Sequence, residues 1–134
     1  MRYRLSSTKC GRFCYLIENR NCLKYEDARA ACAVDGGDLL NVDTCYHDFF
    51  VALATRSQGG CDPDFWIGAR RMQLGADFIT VTGDIISTQS VLWASGKPNN
   101  DNDKNCVELE RNKKYRLGNE NCDHANGYIC QIFI

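Results

Sequence analysis

Proline and histidine are scarce in this chain, with two of each among 134 residues. No apolar run approaches the roughly 18 residues that a membrane-spanning helix needs, so a transmembrane helix is excluded. Asn-x-Ser/Thr acceptors are missing too, so N-glycosylation is not expected. There is no internal repeat and no low-complexity tract. Charge of either sign is not in excess: the net value of −1 argues against bulk attraction to nucleic acid or to an anionic membrane. Cys-x-x-Cys pairs are absent, and only His47 and His124 could complete a mixed zinc site, so structural zinc fits poorly. Neither histidine stands with a serine or cysteine nucleophile motif, and nothing sets two carboxylates across a cleft. Catalysis is therefore not expected. Residues 1–10 carry Arg2, Arg4 and Lys9 without the apolar core of a signal peptide, which is expected of a mature or recombinant form.

Cysteine, by contrast, is abundant. Nine in 134 residues exceed ordinary usage and point to a disulfide framework, hence to an oxidising, extracellular setting. The length fits one domain, 1–134, able to bury about two-thirds of its unfolded surface. Nine is odd, so one thiol is left over for a bond between chains, which predicts a disulfide-linked dimer. The other reading is a buried thiol acting as a small hydrophobe.

The early part of the chain reads as a strand at Cys14–Ile17, a turn at Glu18–Asn21 and a helix over Tyr25–Cys32. Ala28, Ala31 and Cys32 share one face of that helix, and Gly36-Gly37 stops it. A second helix follows, capped by Asp43 or Thr44, with Phe49, Phe50 and Leu53 as its apolar face and Gly59-Gly60 as its end. Later segments read as strands: Phe65–Ala69, Phe78–Thr82, the pair Val107–Leu109 and Tyr115–Leu117, and Gly127–Ile134. Between Gly83 and Asn105 lies a long turn-rich loop, and loops of that length are usually functional. Helices first and strands later is an α+β order.

Ordered motifs span most of the chain: Cys14-Tyr15, Tyr25 to Cys32, Trp66-Ile67-Gly68, Trp93-Ala94-Ser95-Gly96-Lys97-Pro98-Asn99, Cys106, Leu117-Gly118-Asn119 and Cys122. Together they resemble a C-type lectin-like domain. The resemblance implies a disulfide-stabilised α+β fold, two helices packed on antiparallel sheets with a long loop region. It also implies the bonds Cys32–Cys130 and Cys106–Cys122, and a cis peptide before Pro98. Outside the resemblance, Cys45 and Cys61 bracket the second helix and are expected to pair. Cys10, Cys14 and Cys22 then hold one pair and one spare.

Sugar-binding members of this family hold calcium with carboxylates, and calcium needs six to eight oxygen ligands. At the matching positions this chain has Lys97-Pro98-Asn99, Lys104 and Leu117-Gly118-Asn119. The positions matching the accessory calcium site are Arg71 and Gly75. An ammonium 4 Å from a divalent ion repels it by roughly 8 kcal/mol at an effective dielectric of 20. Asp101, Asp103 and Glu108 could in principle rescue a shifted site, but neither a metal nor any other cofactor is expected. The lysines instead look suited to part of the ion's job, orienting a carbonyl or carboxylate, while Asn99 offers both donor and acceptor. The other possibility is a degenerate loop whose lysines are merely solvated. The basic-Pro-polar loop also resembles that of calcium-independent C-type lectins of bivalve molluscs, disulfide-linked dimers that recognise the acetamido group of GlcNAc and GalNAc.

The expected sugar site is therefore Lys97, Pro98, Asn99, Lys104 and Asn119, with Tyr115 and His124 as a flanking wall. Tyr46 and Tyr128 are expected to be structural, and Arg70-Arg71 to be surface. The function expected is a secreted, calcium-independent lectin for N-acetylated glycans. The alternative is a protein-binding module of the same fold with no sugar site. Ice binding, which also occurs in the family, is a third possibility that sequence does not test.

Overall fold

A computed structural model describes residues 3–8, 11–41 and 60–133 of the chain. Among the described residues, nine strands form one sheet system: β1 (Arg4–Thr8), β2 (Gly11–Leu23), β3 (Asp38–Leu39), β4 (Phe65–Arg70), β5 (Phe78–Thr80), β6 (Ile85–Ile86), β7 (Cys106–Glu110), β8 (Arg116–Glu120) and β9 (Asn126–Phe133). Helix α1 spans Tyr25–Val34, and a 3-10 turn covers Arg111–Lys113. The second helix expected between Asp43 and Gly59 lies outside the described residues. This is the anticipated α+β class, with one departure from an all-antiparallel sheet. β4 runs parallel to β9, pairing Phe65 with Gly127 and Trp66 with Tyr128.

The expected turn at Glu18–Asn21 does not form. β2 continues to Leu23 with a break in register after Glu18, because the irregular stretch is held from outside. The Arg20 amide donates to the Glu18 carboxylate at 3.0 Å, and the Cys61 amide donates to the Asn19 carbonyl at 2.8 Å. A disulfide between Cys22 and Cys61 fastens the same place. That bond corrects the expected Cys45–Cys61 pairing. β2 delivers Cys22 within a Cα separation of 5.9 Å from Cys61, well inside disulfide reach, and Cys45 itself lies outside the described residues.

Cys32–Cys130 and Cys106–Cys122 form as the resemblance implies. The first spans 98 residues and ties α1 to β9, worth about 4–5 kcal/mol in the chain-entropy model. Helix α1 docks through its first residue. The Tyr25 amide donates to the Cys122 carbonyl, and the Tyr25 ring meets Trp66 edge-on at 5.6 Å. Burial pushes the Tyr25 phenol up to about 12. Gly36 adopts φ +83° at the helix end, where a side chain would be strained, and the next amide, Gly37, donates to the Cys32 carbonyl.

β4 stands between two core clusters, with Phe65 and Ile67 in one and Trp66 in the other. All three are buried, each worth roughly 1.5–3 kcal/mol of apolar transfer. Trp66 donates its indole N–H to the Leu23 carbonyl. Trp93, at the root of the long loop, donates its indole N–H to the Ser87 carbonyl and packs edge-on against Phe78 at 5.1 Å. It also bridges to Leu117 on β8. The loop thus leaves the core from one anchored tryptophan and returns to it at Cys106.

Candidate functional site

The Lys97–Pro98 peptide is cis, as the resemblance implies. The Lys97 amide donates to the Ala94 carbonyl at 2.9 Å, closing the turn that presents the lysine. From there the Lys97 ammonium reaches to 3.9 Å from Oε2 of Glu110, the last residue of β7. Glu110 can stand there because position 118 on β8, two residues along from its cross-strand partner Arg116, is glycine. A Cβ on Gly118 would meet the Glu110 carboxyl carbon at 2.2 Å.

Asn119 is 1% exposed, and its amide is spent on the loop backbone. Oδ1 accepts from the Asn99 amide at 2.8 Å, while Nδ2 donates to the carbonyls of Asn99 at 3.0 Å and Lys104 at 2.8 Å. It therefore positions the loop, with both ends of its amide already engaged by loop backbone. Asn99 stays at the loop surface, with Oδ1 accepting from the Asp101 amide at 3.0 Å. Lys104 lies 3.7 Å from Asp101 in a largely exposed pair, which contributes little by itself.

Arg71 overturns its reading as surface. It is 4% exposed and stacks 5.0 Å over the Phe78 ring. Its Nη2 donates to the carbonyls of Asp101 at 2.7 Å and Lys104 at 3.2 Å, and its Nε donates to Oδ1 of Asn105 at 2.9 Å. Its backbone amide donates to the Asn105 carbonyl at 2.8 Å. A guanidinium thus gathers residues 101–105 from within. Burial pulls its pKa below the usual arginine range. Its neighbour Arg70 pairs with Glu26 at 2.9 Å beside the Tyr25 ring.

Beneath Glu110 lies a second carboxyl group. Glu108 is 2% exposed and accepts from the Asn126 amide at 2.8 Å. Burial, and then its hydrogen bond with Glu110, push its pKa up, which favours the protonated form. The neutral acid offers its proton to Glu110, and a chain of polar groups runs from Lys97 through Glu110 and Glu108 to Asn126.

Two expected wall residues do not join this cluster. The Tyr115 side chain is buried in the core 6.4 Å from Phe65, because φ +59° turns it inward at the start of β8. His124 sits on the β8–β9 connection, 3.1 Å from Asp62, and forms no hydrogen bond or ion pair with Lys97, Asn99 or Lys104. Tyr128 is buried, as expected, and Tyr46 lies outside the described residues. Lys97, Pro98, Asn99, Lys104 and Asn119 are brought together. Glu110 and the buried roles of Glu108 and Arg71 are what sequence reasoning missed.

The donor set does not suit calcium. Ammonium groups stand where carboxylates would be needed, Gly118 supplies no side chain, and Glu110 is engaged with Lys97. Among the described residues, no three His, Cys, Asp or Glu side chains cluster as metal ligands would.

This cysteine-stapled sheet, with one long loop held against β7 and β8, is the architecture of C-type lectin domains. The chain belongs to that family, since the model of the lectin C-type domain matches residues 21–132. It is similar to mouse lithostathine-1, 29% identical over 120 residues that cover 88% of this chain and 70% of that protein. Among solved structures, human lithostathine superposes with a TM-score of 0.81 at 20% identity, covering 99% of this chain and 98% of the other. A C-type lectin from the tunicate Polyandrocarpa misakiensis superposes with a TM-score of 0.76 at 25% identity, covering 90% and 97%. No helix among the described residues is long and apolar enough to cross a membrane.

Proposed function

We propose that this chain is a secreted lectin that binds N-acetylated sugars of the GlcNAc and GalNAc type without calcium. The observation that carries the proposal is the Lys97–Glu110 pair, held over Gly118 at the base of the loop. An acetamido group has one acceptor, its carbonyl, and one donor, its N–H. Lys97 offers only donors and the Glu110 carboxylate only acceptors, so the pair is complementary to that group. Both side chains keep a wet edge, 21% and 11% exposed, so a ligand reaches them without unfolding the loop. Asn99 adds a polar contact at the rim. Arg71 and Asn119 hold the loop in shape from below, which is the part of calcium's role that is purely structural.

Secretion is supported by three disulfides among the described residues, which need an oxidising compartment. The Cys14 thiol is partly exposed and forms no disulfide, so it is the group assigned to a bond between chains. A covalent dimer raises avidity, since a single shallow sugar site is weak. The role is binding; no catalytic step is assigned to any residue.

The test is glycan binding with and without EDTA, challenged by free GlcNAc, GalNAc and galactose. Binding unchanged in EDTA and inhibited by the two N-acetyl sugars alone supports the proposal. Loss of binding in EDTA overturns it.

One observation favours a second reading, a protein-binding module. Ile79 and Ile85 face each other across β5 and β6, and both are exposed, as are Met72 and Val91. Failure to bind any glycan would favour that reading.

A further inference from the structure

We infer that a second subsite, beside the Lys97 loop, takes the sulfate group of an anionic saccharide. Residues 111–116 read Arg-Asn-Lys-Lys-Tyr-Arg, four cations in a chain whose net charge is −1. Among the described residues, Arg111, Lys113, Lys114 and Arg116 form no ion pair. Lys113, Lys114 and Arg116 line a cavity of about 460 Å³ whose other wall is Trp93 to Ser95. That volume suits a small ligand such as one or two sugar rings.

The backbone is shaped to present these charges. Lys114 and Tyr115 have φ of 56° and 59°, a left-handed conformation that costs energy in residues other than glycine. The outcome is a division of labour. Tyr115 plunges into the core and anchors the turn, while Lys113, Lys114 and Arg116 stay exposed around it. Arg116 is further fixed by donating to the Val91 carbonyl. Strain held in place by a buried tyrosine is a sign of a selected presentation rather than of a loose basic run.

The place of the cavity defines the kind of ligand. Its far wall leads directly into the turn that presents Lys97, and Arg116 is the cross-strand partner of Glu110. A saccharide seated against Lys97 and Glu110 can therefore extend toward Lys113 and Lys114. Ammonium and guanidinium donors around a concave site match the several oxygens of a sulfate ester through charge-assisted bonds. A long nucleic acid is disfavoured, because the remaining surface supplies no net positive field to hold it. The inference rests on the lectin reading for the class of ligand, but not on the preference for acetamido groups.

The test compares chondroitin sulfate, unsulfated chondroitin, a neutral GlcNAc oligomer and a DNA duplex of matched charge, at low and physiological salt. Wild-type protein is expected to prefer chondroitin sulfate to chondroitin and to duplex. The double variant Lys113→Ser/Lys114→Asn is expected to lose about tenfold in affinity for it, as when two part-exposed charge pairs go together. Binding of the GlcNAc oligomer stays unchanged in that variant, and Lys113→Arg/Lys114→Arg retains the sulfate preference. Equal binding of chondroitin sulfate by wild type and double variant, or binding of duplex as strong as of chondroitin sulfate, overturns the inference. Failure of the wild-type protein to bind the GlcNAc oligomer, with its preference for chondroitin sulfate intact, overturns the acetamido reading and supports this one independently.

Discussion

The ammonium of Lys97 lies 3.9 Å from Oε2 of Glu110, and the carboxyl group occupies the space that a side chain at Gly118 would need. One residue comes from the long loop and the other from the end of β7. Each is placed by backbone that the core holds firmly, so the pair is a fixed donor and acceptor rather than two wandering surface charges.

The first prediction concerns that pair. Lys97→Glu sets two carboxylates against each other and removes the donor to the ligand. Loss of one charge-assisted hydrogen bond weakens sugar binding by roughly tenfold to a hundredfold. Isothermal titration with GlcNAc measures it, and an unaltered affinity would remove Lys97 from the site. Glu110→Gln should weaken binding less, because the amide keeps an acceptor.

The second concerns Arg71. Arg71→Ala leaves the Asp101 and Lys104 carbonyls and the Asn105 amide oxygen without their partner. The expected cost is about 2–3 kcal/mol, since these acceptors regain some water in an exposed loop. Hydrogen exchange should show the loss concentrated at the amides of Asn99 and Asp101. A uniform loss of protection across the sheet would contradict a role specific to the loop.

Much of this was legible in the chain, and the reasons are specific. Trp66 and Trp93 announce core strands and a loop root because large aromatics have few places to go in a small domain. Cys32–Cys130 and Cys106–Cys122 follow from the family motif. Cys22–Cys61 did not, because pairing among the remaining cysteines depends on where β2 ends in space. Arg70-Arg71 looked like surface; which of the two turns inward is decided by the loop returning at Asn105, 34 residues later. The run Val107–Glu110 alternates apolar and acidic residues, a pattern normally half exposed, yet every position of β7 is buried. Only the loop crossing the acidic face shows why.

A third prediction follows from Glu108. Its pKa is raised in the folded state above the unfolded value, so the native protein binds the extra proton. Folding stability is then greatest below the unfolded carboxyl value and falls as pH rises toward the folded one. The slope from this group is at most about 1.4 kcal/mol per pH unit. Glu108→Gln keeps the shape, donates to Glu110 and needs no proton. Urea unfolding between pH 5 and pH 8 should show a flatter profile in the variant and greater stability at the alkaline end. A parallel profile would place the proton elsewhere.

The fourth concerns Cys14. Its partly exposed thiol forms no disulfide. Cys14→Ser should convert a covalent dimer to monomer on non-reducing gels, with monosaccharide affinity unchanged and binding to multivalent glycan reduced. A dimer band that survives the substitution would assign the bond to another cysteine.

Arg71 also bears on where such a protein can work. Metal-bound loops fall apart when acid protonates the carboxylates that hold the ion, or when a chelator strips it. A guanidinium built into the polypeptide is lost to neither. The loop across residues 101–105 should therefore keep its shape in acidic and calcium-poor fluids alike.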